Sequence, residues 1–79
     1  TVVFSLYPNP NNGVFTLEAQ SRNNVPLGVQ LFNTLGQVIQ TFTMTENKRT
    51  IDITGYESGI YSLRLSDGTA VITQRIIKQ

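Results

Sequence analysis

Asp67-Gly68 stands between two runs of β-type residues, Gly59-Ile60-Tyr61-Ser62-Leu63-Arg64-Leu65 and Val71-Ile72-Thr73-Gln74-Arg75-Ile76-Ile77-Lys78. No other feature restricts this chain so sharply, because Asp-Gly between alternating apolar residues is the strongest short-range signal for a hairpin. Asp and Gly tolerate the positive φ angles of a type I′ turn, whose twist matches that of paired strands. The spacing predicts a tight turn centred on Asp67 and Gly68. It also predicts that the chain closes on a paired strand ending in Lys78 and Gln79.

The rest of the chain follows the same pattern. Helical periodicity is absent, and Gly, Pro and Asn punctuate β-branched runs at short intervals. Extended segments are predicted at residues 2–6, 14–19, 26–33, 38–43, 49–53, 60–65 and 69–78. Alternation directs Phe15, Leu17 and Ala19 inward, places Val29 and Leu31 on one face with Gln30 and Phe32 on the other, and directs Ile39, Ile51 and Ile53, and finally Tyr61, Leu63 and Leu65, inward. Tyr61 is expected in the core, with its hydroxyl reaching a backbone partner at the rim. Residues 20–24 read as polar loop, Thr34-Leu35-Gly36-Gln37 as a turn, Glu46-Asn47-Lys48 as a solvated turn and 54–58 as a connector. In the loop at 7–13, Pro8 and Pro10 fix φ and lack N–H donors, and Asn12-Gly13 is turn chemistry. These prolines are expected to stiffen a polyproline-like segment that guards a sheet edge. Gly36 is expected at positive φ, and Gly59 where a side chain would collide with a neighbouring backbone. About seven short strands with turn signals every 8–12 residues predict an all-β fold, an immunoglobulin-like antiparallel β-sandwich, with a small barrel as the alternative.

A single domain of 79 residues has a thin stability margin. Small domains commonly add disulfides or a metal, yet this chain has no cysteine and no histidine. That excludes a disulfide framework and Cys or His zinc sites. It also removes the usual nucleophile–base pairs. Glu18, Glu46, Asp52, Glu57 and Asp67 fall mostly in separate loops or outward positions, so no catalysis is expected. Asn9, Asn11 and Asn12-Gly13 imitate part of a calcium loop, but no carboxylate precedes Glu18, and no metal or cofactor is expected. The net charge is +1 without a basic stripe, which argues against a nucleic-acid partner. No apolar run approaches the ~20 residues of a membrane-spanning helix, so no stable membrane insertion is expected. Charged residues make up 14% of the chain, against about 25% in typical domains. Asn, Gln, Ser and Thr fill the polar positions instead, a balance that suits an exported or surface protein. The absence of a signal peptide leads us to read the chain as a domain from the C-terminal end of a longer protein.

Several segments together resemble the C-terminal sorting domain, type A, of cargo proteins of the type IX secretion system. Tyr7-Pro8-Asn9-Pro10-Asn11-Asn12-Gly13 with Phe15-Thr16-Leu17 resembles the family's opening motif. Val29-Gln30-Leu31-Phe32-Asn33-Thr34-Leu35-Gly36-Gln37-Val38 is similar to its middle hairpin. Ser58-Gly59-Ile60-Tyr61-Ser62-Leu63-Arg64-Leu65 and Gln74-Arg75-Ile76-Ile77-Lys78 are similar to its two last motifs. Tyr56 departs from the leucine more common in the family. The resemblance implies a domain attached to an N-terminal cargo, in a Gram-negative member of the Bacteroidota. The cargo transits the periplasm to the outer membrane, cell surface or medium. The domain engages the outer-membrane machinery, a sortase-like protease removes it, and the cargo is often joined to an anionic lipopolysaccharide.

Ile76 and Ile77 put apolar groups on both faces of the last strand. One face needs the core and the other a second surface. With the resemblance, Gly59, Tyr61, Arg75, Ile76, Ile77 and Lys78 are the residues expected at the translocon, read through the strand's backbone edge, the isoleucine pair and an exposed charge on Lys78. Pro8, Pro10, Gly13, Gly36, Asp67 and Gly68 are expected to shape turns. The rival reading is an adhesive or carbohydrate-binding sandwich, marked by a row of exposed aromatics. A third is a spacer that stabilises the preceding domain. A monomer is expected, with edge pairing or a swapped terminal strand as alternatives.

Overall fold

The computed structural model describes residues 2–21 and 25–79; the end of the predicted polar loop, 22–24, lies outside the described residues. Seven strands follow one another as β1 (Val2–Tyr7), β2 (Val14–Ser21), β3 (Leu27–Phe32), β4 (Val38–Met44), β5 (Lys48–Asp52), β6 (Gly59–Ser66) and β7 (Val71–Lys78). They form two antiparallel sheets, ordered β1-β2-β5 and β4-β3-β6-β7. In constant-type immunoglobulin domains the fourth strand pairs beside the fifth. Here the short loop 33–37 folds β4 straight back onto β3, so the fourth strand joins the other sheet.

Period-two alternation sets the interior. β2 buries Phe15, Leu17 and Ala19, β3 buries Leu27, Val29 and Leu31, and β6 buries Tyr61, Leu63 and Leu65. Ile51 and Ile53 close the core from the β5 side and Ile76 from β7. Each of the larger aliphatic and Phe side chains among these contributes about 1.5–3 kcal/mol when fully buried. The corner between β4 and β5 is closed by side chains that cross from sheet to sheet. The Arg49 guanidinium lies 4.0 Å from the Phe42 ring centroid. Gln40 Nε2 donates to Asp52 O at 3.0 Å, and the Tyr56 hydroxyl donates to Ile39 O at 3.2 Å.

Two sequence expectations need correction. β2 does not stop at Ala19, because Gln20 and Ser21 pair with Val3 and Val2 and prolong the ladder. Ile39 is half-buried and packs against the core, as its alternation directed. The register slips between Leu31, opposite Gln40, and Phe32, opposite Val38, which leaves Ile39 as the extra residue of a bulge. Partners across a ladder share a face, so the inward residues beyond the bulge are Phe42 and Met44, opposite Val29 and Leu27. Met44 is 1% exposed.

The second correction concerns Asp67-Gly68. The last paired residues are Ser66 and Val71, so residues 67–70 all lie in the loop and the turn is not centred on Asp67 and Gly68. Gly68 does take positive φ, +100°. The Asp67 carboxylate accepts from Ala70 N at 2.7 Å, Thr69 N at 2.9 Å and Thr69 Oγ1 at 3.0 Å. A side chain that captures backbone donors in this way competes with the main-chain bonds of a tighter turn. The bond from the Ala70 amide, then those from Thr69, hold the Asp67 carboxyl down to a pKa of about 2.

Two outcomes follow. In urea unfolding, Met44→Ala costs about 2–5 kcal/mol, as for other buried side chains, and Ile39→Ala clearly less. The Asp67 pKa lies below its unfolded value of about 3.9. Its contribution to stability is therefore complete above about pH 4 and fades as pH falls towards about 2. Asp67→Asn, which cannot titrate, flattens that part of the stability–pH profile.

Candidate functional site

The C-terminal strand and the elements around its end form the candidate site. β7 pairs with β6 along its whole length, from Ser66 opposite Val71 to Gly59 opposite Lys78. Alternation sorts its last residues between two environments. Ile76 is fully buried opposite Tyr61, whose hydroxyl donates to Glu57 O at the rim. Ile77 points outward, 41% exposed, opposite Ile60, and Arg75 is exposed opposite Ser62.

The outer edge of β7 is covered by the loop between β1 and β2. Asn9 Nδ2 donates to Arg75 O, and Asn9 Oδ1 accepts from Ile77 N, both at 2.9 Å. Asn11 N donates to Ile77 O at 2.9 Å, and Asn11 O accepts from Gln79 N at 2.7 Å. Asn11 and Lys78 thereby form a parallel bridge. Side-chain amides suit this task because they carry both a donor and an acceptor, as a strand edge does. Asn11 Oδ1 also accepts from Gly13 N at 2.8 Å, and Gly13 O accepts from Ile53 N at 2.6 Å. This strap therefore ties β7 to the end of β5 in the opposite sheet. The peptide bonds before Pro8 and Pro10 are both cis, and the segment bends rather than extending as polyproline-like backbone.

Lys78 differs most from expectation. It is 8% exposed rather than a solvated charge. Its stem passes under Gly13, and its Nζ donates to Tyr56 O and lies 3.5 Å from Thr54 O. Gly13 makes room for it: φ is +113°, and a Cβ there would sit 3.0 Å from Lys78 Cε and 2.9 Å from Thr54 Cγ2. Nearby, Asp52 Oδ1 accepts from Thr54 Oγ1 at 2.6 Å and Thr54 N at 2.9 Å. These bonds, helped by the positive charge of Lys78, lower the Asp52 pKa. The ammonium thus works as an internal anchor that satisfies connector carbonyls.

The structure brings most of the singled-out residues to one pole. Gly59, Tyr61, Arg75, Ile76, Ile77 and Lys78 share the β6–β7 ladder, and Pro8, Pro10 and Gly13 belong to the strap. Gly36, at φ +84°, lies at the tip of the β3–β4 loop, which reaches the same pole through the bond from Thr34 Oγ1 to Ile60 O at 2.7 Å. Leu35 at that tip is 83% exposed. Asp67 and Gly68 sit at the opposite pole. The collision expected at Gly59 is absent, since the nearest atom to a Cβ there is Thr34 Oγ1 at 3.8 Å. Sequence reasoning missed Asn9, Asn11, Thr54 and Tyr56 as the groups that fix the last strand. The signal available was the Asn-Pro-Asn run, which offers alternating amides on a proline-restricted backbone.

Lys78→Ala strands two connector carbonyls without their donor and costs about 1–3 kcal/mol in urea unfolding. Arg75→Ala, at an exposed position, stays within about 0.5 kcal/mol of the wild type.

A family model described as the secretion system C-terminal sorting domain matches residues 5–79, from within β1 to the last residue of the chain. No curated protein matches the chain. The matched span contains both sheets, the strap and the anchored terminal strand. The chain therefore belongs to the C-terminal sorting domains of the type IX secretion system.

Proposed function

We propose that this domain directs an attached N-terminal cargo across the outer membrane through the type IX machinery, acting by being recognised and performing no chemistry. The observation that carries the reading is the state of β7. It is ladder-bonded to β6 on one side and strapped by Asn9 and Asn11 on the other, while Arg75 and Ile77 face outward. A strand held this way loses little conformational entropy when a receptor engages it. The strap already uses the outward backbone groups at residues 75, 77 and 79. Reading therefore falls to side chains rather than to the backbone edge at that end. In this scheme Arg75 and Ile77 are the displayed residues. Gly59, Tyr61, Ile76 and Lys78 hold the hairpin in place. A sortase-like protease removes the domain once the cargo has crossed.

A carbohydrate-binding role lacks its mark. Among the described residues, the exposed aromatics are Tyr7 and Tyr56, on different elements and not in a row.

A cargo fusion tests the reading in cells that carry the secretion machinery. Deleting residues 75–79 traps the fusion in the periplasm, and Ile77→Asp lowers its export while leaving the circular dichroism of the purified domain unchanged. Mature cargo recovered outside the cell lacks the mass of the domain. Export of both variants at wild-type levels would overturn the proposal.

A further inference from the structure

The outer face of the four-stranded sheet carries a second level of organisation. Ser62 lies at its centre, with Phe32 directly across on β3 and Arg75 directly across on β7. Ile60 and Arg64 flank Ser62 along β6, and Ile77, opposite Ile60, stands on the diagonal. Residues at these positions share a face because cross-strand partners and i, i+2 neighbours project the same way. The small serine side chain thus sits among three apolar residues and two arginines on one face. The Arg64 guanidinium lies 5.1 Å from the Phe32 ring centroid, a cation–π contact that holds it beside Phe32. Ile60 and Ile77 are 47% and 41% exposed, although their directly opposed positions would favour burial of both.

The charge on this face is one-sided. Glu18 and Asp52 belong to the β1-β2-β5 sheet, Glu46 to the β4–β5 turn, Glu57 to the β5–β6 connector and Asp67 to the β6–β7 turn, so no acidic residue stands on a strand of this sheet. Among the described residues neither arginine has a carboxylate at salt-bridge distance, the only such pairs being Lys48–Glu18 and Arg49–Glu46. A guanidinium presents a planar fork of donors that matches a carboxylate two-point fashion.

We propose that the Ser62-centred patch formed by Phe32, Ile60, Arg64, Arg75 and Ile77 docks a protein partner that presents carboxylate side chains beside apolar ones. The inference rests on the sorting reading and names the chemistry of the receptor surface. Complementarity of charge selects this occupant. A second copy of the face would bring arginine against arginine with no acid to separate them. An anionic membrane would gain only about 1 kcal/mol from each basic residue near its surface, too little from two arginines for stable attachment.

The test uses the complete domain fused to its cargo in cells that export it. Arg64→Glu with Arg75→Glu lowers export about tenfold or more, while Arg64→Lys with Arg75→Lys retains most of it. In membranes from exporting cells, a carbodiimide joins Arg75→Lys to a partner carboxylate by a zero-length amide bond. Lys48, an amine on the opposite sheet, gives no such adduct in the wild-type fusion. Normal export of the charge-reversed pair, or adducts independent of the lysine at position 75, would overturn the proposal. So would a wild-type dimer in sedimentation, or flotation with phosphatidylglycerol vesicles, that the charge reversal abolishes. If the charge-reversed pair is exported and the 75–79 deletion is not, the docking face falls and the sorting reading stands. If the deletion is exported as well, both fall.

Discussion

Hydrogen bonds from Asn9 and Asn11 to the outer edge of β7 hold the end of this domain together. An edge strand at the end of a chain exposes unpaired backbone groups along its outer side, and such an edge invites pairing with other chains. The loop between the first two strands removes that liability where β7 ends. It also joins the sheets, because the same loop contacts β7 through Asn11 and the end of β5 through Gly13 O. With no disulfide available, the strap does at one corner what Arg49, Gln40 and Tyr56 do at the β4–β5 corner. Lys78 completes it from below by satisfying the connector carbonyls of Thr54 and Tyr56.

The division of labour within β7 follows from strand geometry. Alternate residues face opposite ways, so Ile76 and Lys78 turn towards the body of the domain while Arg75 and Ile77 turn away. The consecutive isoleucines let one short segment be both a core element and a displayed surface. At the end of β7 the backbone edge, the third resource of a strand, is spent on the strap. A partner that approaches this pole meets side chains already fixed in position.

Much of the architecture was legible in the sequence because one-sided burial writes itself as alternation. Phe15, Leu17 and Ala19, and later Tyr61, Leu63 and Leu65, face inward as their spacing required. What was illegible depended on contacts between distant segments. Ile39 packs against the core as the local alternation directed, but the bulge that makes it the extra residue of β4 went unseen, because a bulge is a property of the pair of strands and not of either alone. Asp67-Gly68 marked the hairpin correctly, but the carboxylate captured the backbone donors of Thr69 and Ala70 and widened the loop. Lys78 read as a solvated charge, since no local pattern reveals that carbonyls more than twenty residues away will meet its ammonium. For the site, the sequence indicated a terminal strand with apolar groups on both faces, while which residues face outward, and the asparagines that secure the strand, could be recognised only once the strap and β7 were seen side by side.

The two ends of the described chain emerge at opposite poles, Val2 beside Ser21 and Lys78 beside Gly59. Tension applied between them runs along β1 and β7, parallel to both strands. The ladder bonds of β1 to β2 and of β7 to β6 lie across that direction, so they resist as a set in shear instead of parting one by one like a zipper. The strap adds its own bonds to the terminal strand in the same orientation. A domain wired in this way stays closed under a pull on its cargo, and it yields most readily to a force that peels β7 sideways from its neighbour.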